Sequence, residues 1–158
     1  MIVAYDGTNY HGWQSQPNAV TIEQILNEQL SRLLGEEITI IGASRTDAGV
    51  HAEGNVAVFD TETSIPPEKI SLAINRTLPD DIVVQESFEV QADFHPRKCD
   101  SIKTYEYRIL NRRTDMPVKS RNTYHVHRKL DVEKMREAAS YFVGQHDFRN
   151  FCSVHTQA

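Results

Sequence analysis

Residues 38–59 read Ile-Thr-Ile-Ile-Gly-Ala-Ser-Arg-Thr-Asp-Ala-Gly-Val-His-Ala-Glu-Gly-Asn-Val-Ala-Val-Phe. The β-branched run at 38–41 and the apolar run at 55–59 are typical of strands. Three of the chain's seven glycines lie between Gly42 and Gly54, where glycine allows sharp turns and close approach to a ligand. The stretch therefore predicts a loop held between two core strands.

Further helix and strand signals lie on both sides of this stretch. A capping box at Thr21 and a stop at Gly35 predict one helix, and Pro66 and Pro67 begin a second, which Pro79 closes. The order β-α-β-β-α-β predicts an α+β fold of the ferredoxin-like kind, an antiparallel sheet with helices on one face. The six elements are predicted at residues 2–5, 21–34, 38–41, 55–59, 66–78 and 82–84.

After residue 94 a similar pattern starts again. Two strands and a helix are predicted there, at residues 103–110, 124–128 and 131–143. We therefore expect an N-terminal ferredoxin-like α/β domain at 1–94, which carries the loop. Residues 95–158 are expected to be a basic segment that opens a second α/β half and is truncated before its remaining strands.

Composition favours a soluble globular protein. Hydrophobic residues make up 39% and charged residues 25% of the 158 residues, which is enough for one domain with a core. The sequence contains no apolar run near the ~20 residues of a membrane helix and no visible signal peptide. Cys99 and Cys152 form no CxxC motif, so we expect reduced thiols and a cytoplasmic protein.

The charge distribution is uneven. Residues 1–94 carry 4 Lys and Arg against 15 Asp and Glu, whereas residues 95–129 carry 10 against 3. Tyrosines interleave with the basic block, and cations with stacking rings are typical of nucleic-acid binding; the alternative is a solvated charged face. The candidate RNA-binding cations are Arg97, Lys103, Arg112, Arg113 and Lys119.

Arg45 and Asp47 are the candidate catalytic residues of the loop. A nearby cation favours the ionised form of a carboxylate, which suits Asp47 to act as nucleophile or base. The alternative is an aspartate that only stabilises a turn.

Metal and nucleotide sites have little support. His125-Val126-His127 resembles a paired ligand, but strand alternation places both rings on one face without any metal. The sequence contains no HExxH, GxGxxG or GxxxxGK[ST] motif.

The chain resembles the N-terminal part of the tRNA pseudouridine synthase A family. The segment Arg-Thr-Asp-Ala-Gly-Val-His at 45–51, in order with the other motifs, makes the resemblance specific. The matching stretches are residues 5–14, 45–52, 75–82, 93–95, 103–109 and 143–148.

The resemblance implies a pseudouridine synthase fold and an enzyme that isomerises uridine to pseudouridine at tRNA positions 38–40, in the anticodon arm. Such enzymes need no cofactor and no metal and work as homodimers. By resemblance Asp47 is the nucleophile, attacking C1′ of the ribose or C6 of the uracil. Arg45 helps to extrude the nucleotide, and Tyr105 stacks on the target uracil.

The sequence also departs from the family pattern. Ser44 stands where members usually have glycine before the arginine. Members continue well past this length and supply a second arginine that pairs with the catalytic aspartate, so the chain is expected to be a fragment, or a naturally short protein, inactive alone. The other hypotheses are a non-catalytic ferredoxin-like RNA-binding module and a structural domain without an RNA partner.

Overall fold

Six strands and three α-helices lie within residues 1–151, the part of the chain that this computed structural model describes. Cys152 and the other residues after 151 lie outside that part, so the prediction of reduced thiols can be followed only at Cys99, which is exposed and free. By its contacts the chain divides into two compact units, Met1–Lys103 and Thr104–Ala158. The assignment of 1–94 and 95–158 as functional domains stays a prediction.

The first unit contains a four-stranded antiparallel sheet. Its strands are β1 (Ile2–Tyr5), β2 (Ile41–Gly42), β3 (Ala52–Val58) and β4 (Ile82–Glu86). The strand order across the sheet is β2-β3-β1-β4, so β1 is an inner strand with β3 on one side and β4 on the other.

Two helices complete the first unit. Helix α1 (Ile22–Leu34) begins after Thr21, whose side chain accepts a hydrogen bond from the Gln24 amide, and ends at Gly35 in the left-handed conformation. Helix α2 (Pro67–Ile74) follows β3. The observed order β-α-β-β-α-β and the antiparallel sheet confirm the predicted ferredoxin-like fold.

The core of the first unit lies between the helices and one face of the sheet. Alternate residues of β1 are buried, as expected for a sheet with one covered face, and α1 contributes positions spaced four apart. The largest fully buried side chains of this core are Val3, Trp13, Ile22, Leu26, Leu30, Ile74, Ile82 and Val84.

The prediction of a strand from residue 38 was wrong at its start, because β2 comprises only Ile41–Gly42. The amide of Ile38 donates to Oγ of Ser31, and the amide of Ile40 donates to Oδ1 of Asn27. Since side chains of α1 satisfy these donors, the segment packs against the helix without joining the ladder.

The second helix is shorter than predicted. It ends at Ile74, whereas the sequence indicated a helix through Leu78. The amide group of Asn75 donates to the carbonyl of Val84 and accepts from its N–H, both at 2.8 Å. This pairing with β4 fixes the chain where the helix ends.

The second unit contains β5 (Ile109–Asn111), β6 (Tyr124–Val126) and α3 (Val132–Ser140), and β5 pairs with β6 in parallel. All three elements are shorter than predicted. Within the described residues, 103–108 belong to no strand. The side chain of Asn111 donates to the carbonyls of Val126 and Arg128. These bonds take up backbone carbonyl groups at the point where β6 ends.

The predicted start of α3 is confirmed, because Asp131 caps it by accepting from the Lys134 amide. The helix ends earlier than predicted. The amides of Phe142 and Val143 each donate to the carbonyl three residues before them, which tightens the final turn. No helix within residues 1–151 is long and apolar enough to cross a membrane.

Candidate active site

In the loop between β2 and β3, half-buried and exposed residues alternate around the candidate catalytic residues. Ser44 and Thr46 are half-buried, whereas Arg45 and Asp47 are exposed. An extended chain directs successive side chains to opposite sides. Arg45 and Asp47 therefore share the solvent side of the loop, and the residues between and before them face the protein.

Asn55 of β3 holds the loop at Ser44, one of the residues that face the protein. Its Nδ2 donates to the Ser44 carbonyl at 2.9 Å, and its Oδ1 accepts from the Ser44 amide at 3.3 Å. Asn55 is buried, and this contact gives both its amide oxygen and its amide nitrogen a hydrogen-bond partner. The backbone immediately before Arg45 is thereby fixed to the sheet.

Thr46 is anchored at two atoms. Its Oγ1 lies 2.8 Å from the Tyr5 hydroxyl, and its carbonyl accepts from the Trp13 amide at 3.0 Å. Burial raises the pKa of the Tyr5 phenol, an effect that hydrogen bonds with Thr46 and Asn55 oppose. Tyr5 thus stays a neutral hydroxyl group beneath the loop.

Two glycines let the segment after β1 lie directly against the loop. A Cβ on Gly12 would lie 2.3 Å from the Thr46 carbonyl oxygen, and Gly12 also has a φ of +83°. A Cβ on Gly7 would lie 2.0 Å from the carbonyl oxygen of Val50. Both contacts require a residue without a side chain.

The far end of the loop is fixed by a turn and by the same segment. The Val50 amide donates to the Asp47 carbonyl at 3.1 Å, and the Gly49 amide donates to the Tyr10 carbonyl at 3.1 Å. Nδ1 of His51 accepts from the Gly7 amide at 3.2 Å and lies 3.0 Å from Oδ1 of Asp6.

Arg45 and Asp47 do not pair with each other in the described part of the chain. Within residues 1–151, neither side chain makes a hydrogen bond or an ion pair. The two groups share one side of an immobilised loop, and both are open to a ligand.

The other candidate residues divide between the two units. Arg97 lies at the base of the loop, where its Nε donates to the Gly42 carbonyl at 2.8 Å; Lys103 is exposed in the same unit. The second unit contains four further exposed candidates, Tyr105, Arg112, Arg113 and Lys119.

Of the two histidines at 125 and 127, only His125 lies in β6, and its ring contacts the protein backbone. A ring nitrogen of His125, Nε2, lies 2.8 Å from the Arg112 carbonyl oxygen. In the described part of the chain, no three His, Cys, Asp or Glu residues are grouped as a metal site requires.

Sequence reasoning missed the anchors Tyr5, Gly12, Trp13 and Asn55. Strand alternation could have indicated Asn55, a polar residue on the inward side of an apolar strand. The role of Tyr5 had no local signal, because its contact with Thr46 spans 41 residues of sequence.

Comparison with known proteins finds matches to one family. A family model described as tRNA pseudouridine synthase matches residues 1–97. A tRNA pseudouridine synthase A from Acetivibrio thermocellus is 51% identical over 158 residues, which are 100% of this chain and 65% of the relative. One from Thermoanaerobacter sp. strain X514 is 50% identical over 151 residues, 96% of this chain and 62% of the relative.

A more distant relative of the same name, from Myxococcus xanthus, is 43% identical over 158 residues, 100% of this chain and 60% of its own length. The chain therefore spans 60–65% of the length of these three relatives. Since the family model covers residues 1–97, including the whole Asp47 loop, the chain belongs to the tRNA pseudouridine synthase family.

Proposed function

We propose that the protein isomerises uridine to pseudouridine in the anticodon arm of tRNA, at positions 38–40, in the cytoplasm. The observation that carries the proposal is the outward pair Arg45 and Asp47 on a loop anchored from beneath, in a chain of this family. Rigid support with exposed functional groups is what a catalytic loop needs.

In this reaction Asp47 is the nucleophile, and it attacks C1′ of the ribose or C6 of the uracil. The N1–C1′ bond breaks, the base turns, and a C5–C1′ bond forms; the bond between the Asp47 carboxylate oxygen and the carbon it attacked breaks, which regenerates the free carboxylate. The proton leaves C5 and N1 gains one, so composition and oxidation state are unchanged. The chemistry balances without a metal, redox partner or other cofactor.

Two further side chains receive the target nucleotide. Arg45, exposed beside Asp47, supplies a cation for the extruded nucleotide, and Tyr105 supplies a ring for its uracil. Removing a base from its stack costs a few kcal/mol, which such contacts offset. The tRNA backbone meets the basic residues Arg97, Lys103, Arg112, Arg113 and Lys119, and the working protein is a homodimer.

The test is pseudouridine formation by the full-length gene product on an anticodon-arm transcript. Asp47→Ala and Asp47→Asn are expected to abolish turnover. Asp60→Ala removes an exposed aspartate just after β3 and is the matched control, expected to keep wild-type turnover. Full turnover by Asp47→Ala contradicts the assignment of Asp47.

The exposed aromatic and basic residues of the second unit favour one alternative, a non-catalytic RNA-binding module. That function predicts salt-dependent tRNA binding without any pseudouridine, unaffected by Asp47→Ala. Binding would weaken in the triple variant Arg112→Gln, Arg113→Gln and Lys119→Gln. Pseudouridine formation by the wild-type protein excludes this alternative.

A further inference from the structure

We propose that Tyr5 is a positioning residue for Asp47, acting through the side chain of Thr46. The inference rests on the proposed function of Asp47 as nucleophile. Its basis is the 2.8 Å contact between the Tyr5 hydroxyl and Oγ1 of Thr46, the residue immediately before Asp47.

Tyr5 is itself held rigidly by the sheet and the core. It is the last residue of the inner strand β1, paired with Ala52 of β3 and with Ile82 of β4. Only 5% of its surface is exposed, and its ring lies 5.9 Å from that of Trp13, centroid to centroid. The hydroxyl group is therefore held by the core of the sheet.

The contact between Tyr5 and Thr46 restricts the orientation of the loop more than the backbone hydrogen bonds do alone. The Trp13 amide already holds the Thr46 carbonyl, so the path of the chain does not depend on Tyr5. The Tyr5 hydroxyl adds a second point at the Thr46 side chain. Two fixed points on Thr46 restrict rotation about the extended chain, and that rotation would turn the Asp47 carboxylate away from its target.

A positioning role and a purely structural role predict different results. Removing the hydroxyl leaves the Tyr5 ring packed in the core, so the folded state is retained although the hydrogen bonds of the hydroxyl with Thr46 and Asn55 are lost. Catalysis is more sensitive than stability here, because a displacement of about 1 Å in an active site can lower the rate on the order of 100-fold.

The experiment measures kcat and KM of the full-length protein for Tyr5→Phe, Thr46→Val, Thr46→Ser and the double variant Tyr5→Phe/Thr46→Val. We expect Tyr5→Phe and Thr46→Val each to lower kcat by about tenfold or more, with KM changed less than about twofold. The double variant should be no slower than the slower single variant, since each single variant already removes the contact between Tyr5 and Thr46. Thr46→Ser keeps the hydroxyl and should retain most of the kcat.

Thr77→Val is the matched control, because Thr77 also makes a side-chain hydrogen bond, to the Ile74 carbonyl after α2. It should keep the wild-type kcat. The proposal is overturned if Tyr5→Phe has wild-type kcat, if the two single losses multiply in the double variant, or if Thr46→Ser is as slow as Thr46→Val. An inactive wild-type protein, or an active Asp47→Ala variant, instead refutes the proposed function on which the inference rests.

Discussion

The carboxylate of Asp6 lies 3.0 Å from Nδ1 of His51, which joins the residue after β1 to the residue that leads into β3. The same Oδ1 of Asp6 accepts from the Thr8 amide at 3.0 Å and caps the short 3-10 helix Gly7–Asn9. The same Nδ1 lies 3.2 Å from the Gly7 amide nitrogen, so it donates to Asp6 in one tautomer of the ring and accepts from Gly7 in the other. One carboxylate thus caps the turn and also lies against the far end of the Asp47 loop.

The first prediction concerns this carboxylate. Asp6→Ala should lower the free energy of unfolding by about 1–2 kcal/mol, because the cap and the His51 contact are both lost. Asp6→Asn keeps an oxygen that can accept from the Thr8 amide and should lose less. Urea unfolding of the three proteins measures the difference, and equal losses for the two variants would show that the cap oxygen does not matter.

The second prediction compares two glycines with positive φ. Gly35 has a φ of +73° and no atom within 4 Å of an added Cβ, so Gly35→Ala should cost about 1–2 kcal/mol of stability. Gly12→Ala adds a clash with the Thr46 carbonyl 2.3 Å away. It should therefore destabilise the protein more than Gly35→Ala and reduce pseudouridine formation. Thermal unfolding and turnover measure both effects, and similar results for the two variants contradict the close approach.

The third prediction concerns alkaline pH. Burial, together with a 2.5 Å hydrogen bond from its hydroxyl to Oδ1 of Asp81, raises the pKa of Tyr10. The unfolded phenol ionises at about pH 10, so this group's contribution to stability is full below that pH and is lost as the pH rises further.

Tyr10→Phe tests that pH dependence. The variant should lose about 1.5–3 kcal/mol at neutral pH, since a hydrogen bond to a charged group is removed. Its stability should then fall less steeply above about pH 10 than that of the wild-type protein. Some slope remains, because burial also raises the pKa of Tyr5. Urea midpoints across this range measure it, and parallel curves would contradict the prediction.

The fourth prediction compares two asparagines that each hold a backbone segment by two hydrogen bonds. Asn55 holds Ser44 beside the loop, and Asn75 holds Val84 in β4. Asn55→Ala and Asn75→Ala should each cost about 1–3 kcal/mol, because backbone groups lose their partners. Only Asn55→Ala should lower kcat, measured at a temperature where both variants are folded. Loss of kcat in both would indicate a general effect of stability.

Local chemistry explains which elements could be predicted. Helix α1 begins and ends where Thr21 and Gly35 indicate, since a cap and a left-handed stop act within a few residues. The first part of the predicted β2 and the end of α2 were missed. At the strand, the side chain of Asn27 binds the Ile40 amide; at the helix end, the side chain of Asn75 binds the backbone of Val84 in β4. In both places a partner distant in sequence decides where the element starts or ends.

The sequence by itself determined the order of elements in the first unit and singled out Arg45 and Asp47, because periodicity, capping residues and glycine punctuation are encoded locally. Only the tertiary structure decided that these two side chains share the open side of the loop and do not pair with each other. That arrangement depends on Tyr5 and Asn55, which hold the inward residues from separate strands. Such contacts arise only when the sheet forms, since a hydrogen bond across 41 residues of chain has no signal in a local window.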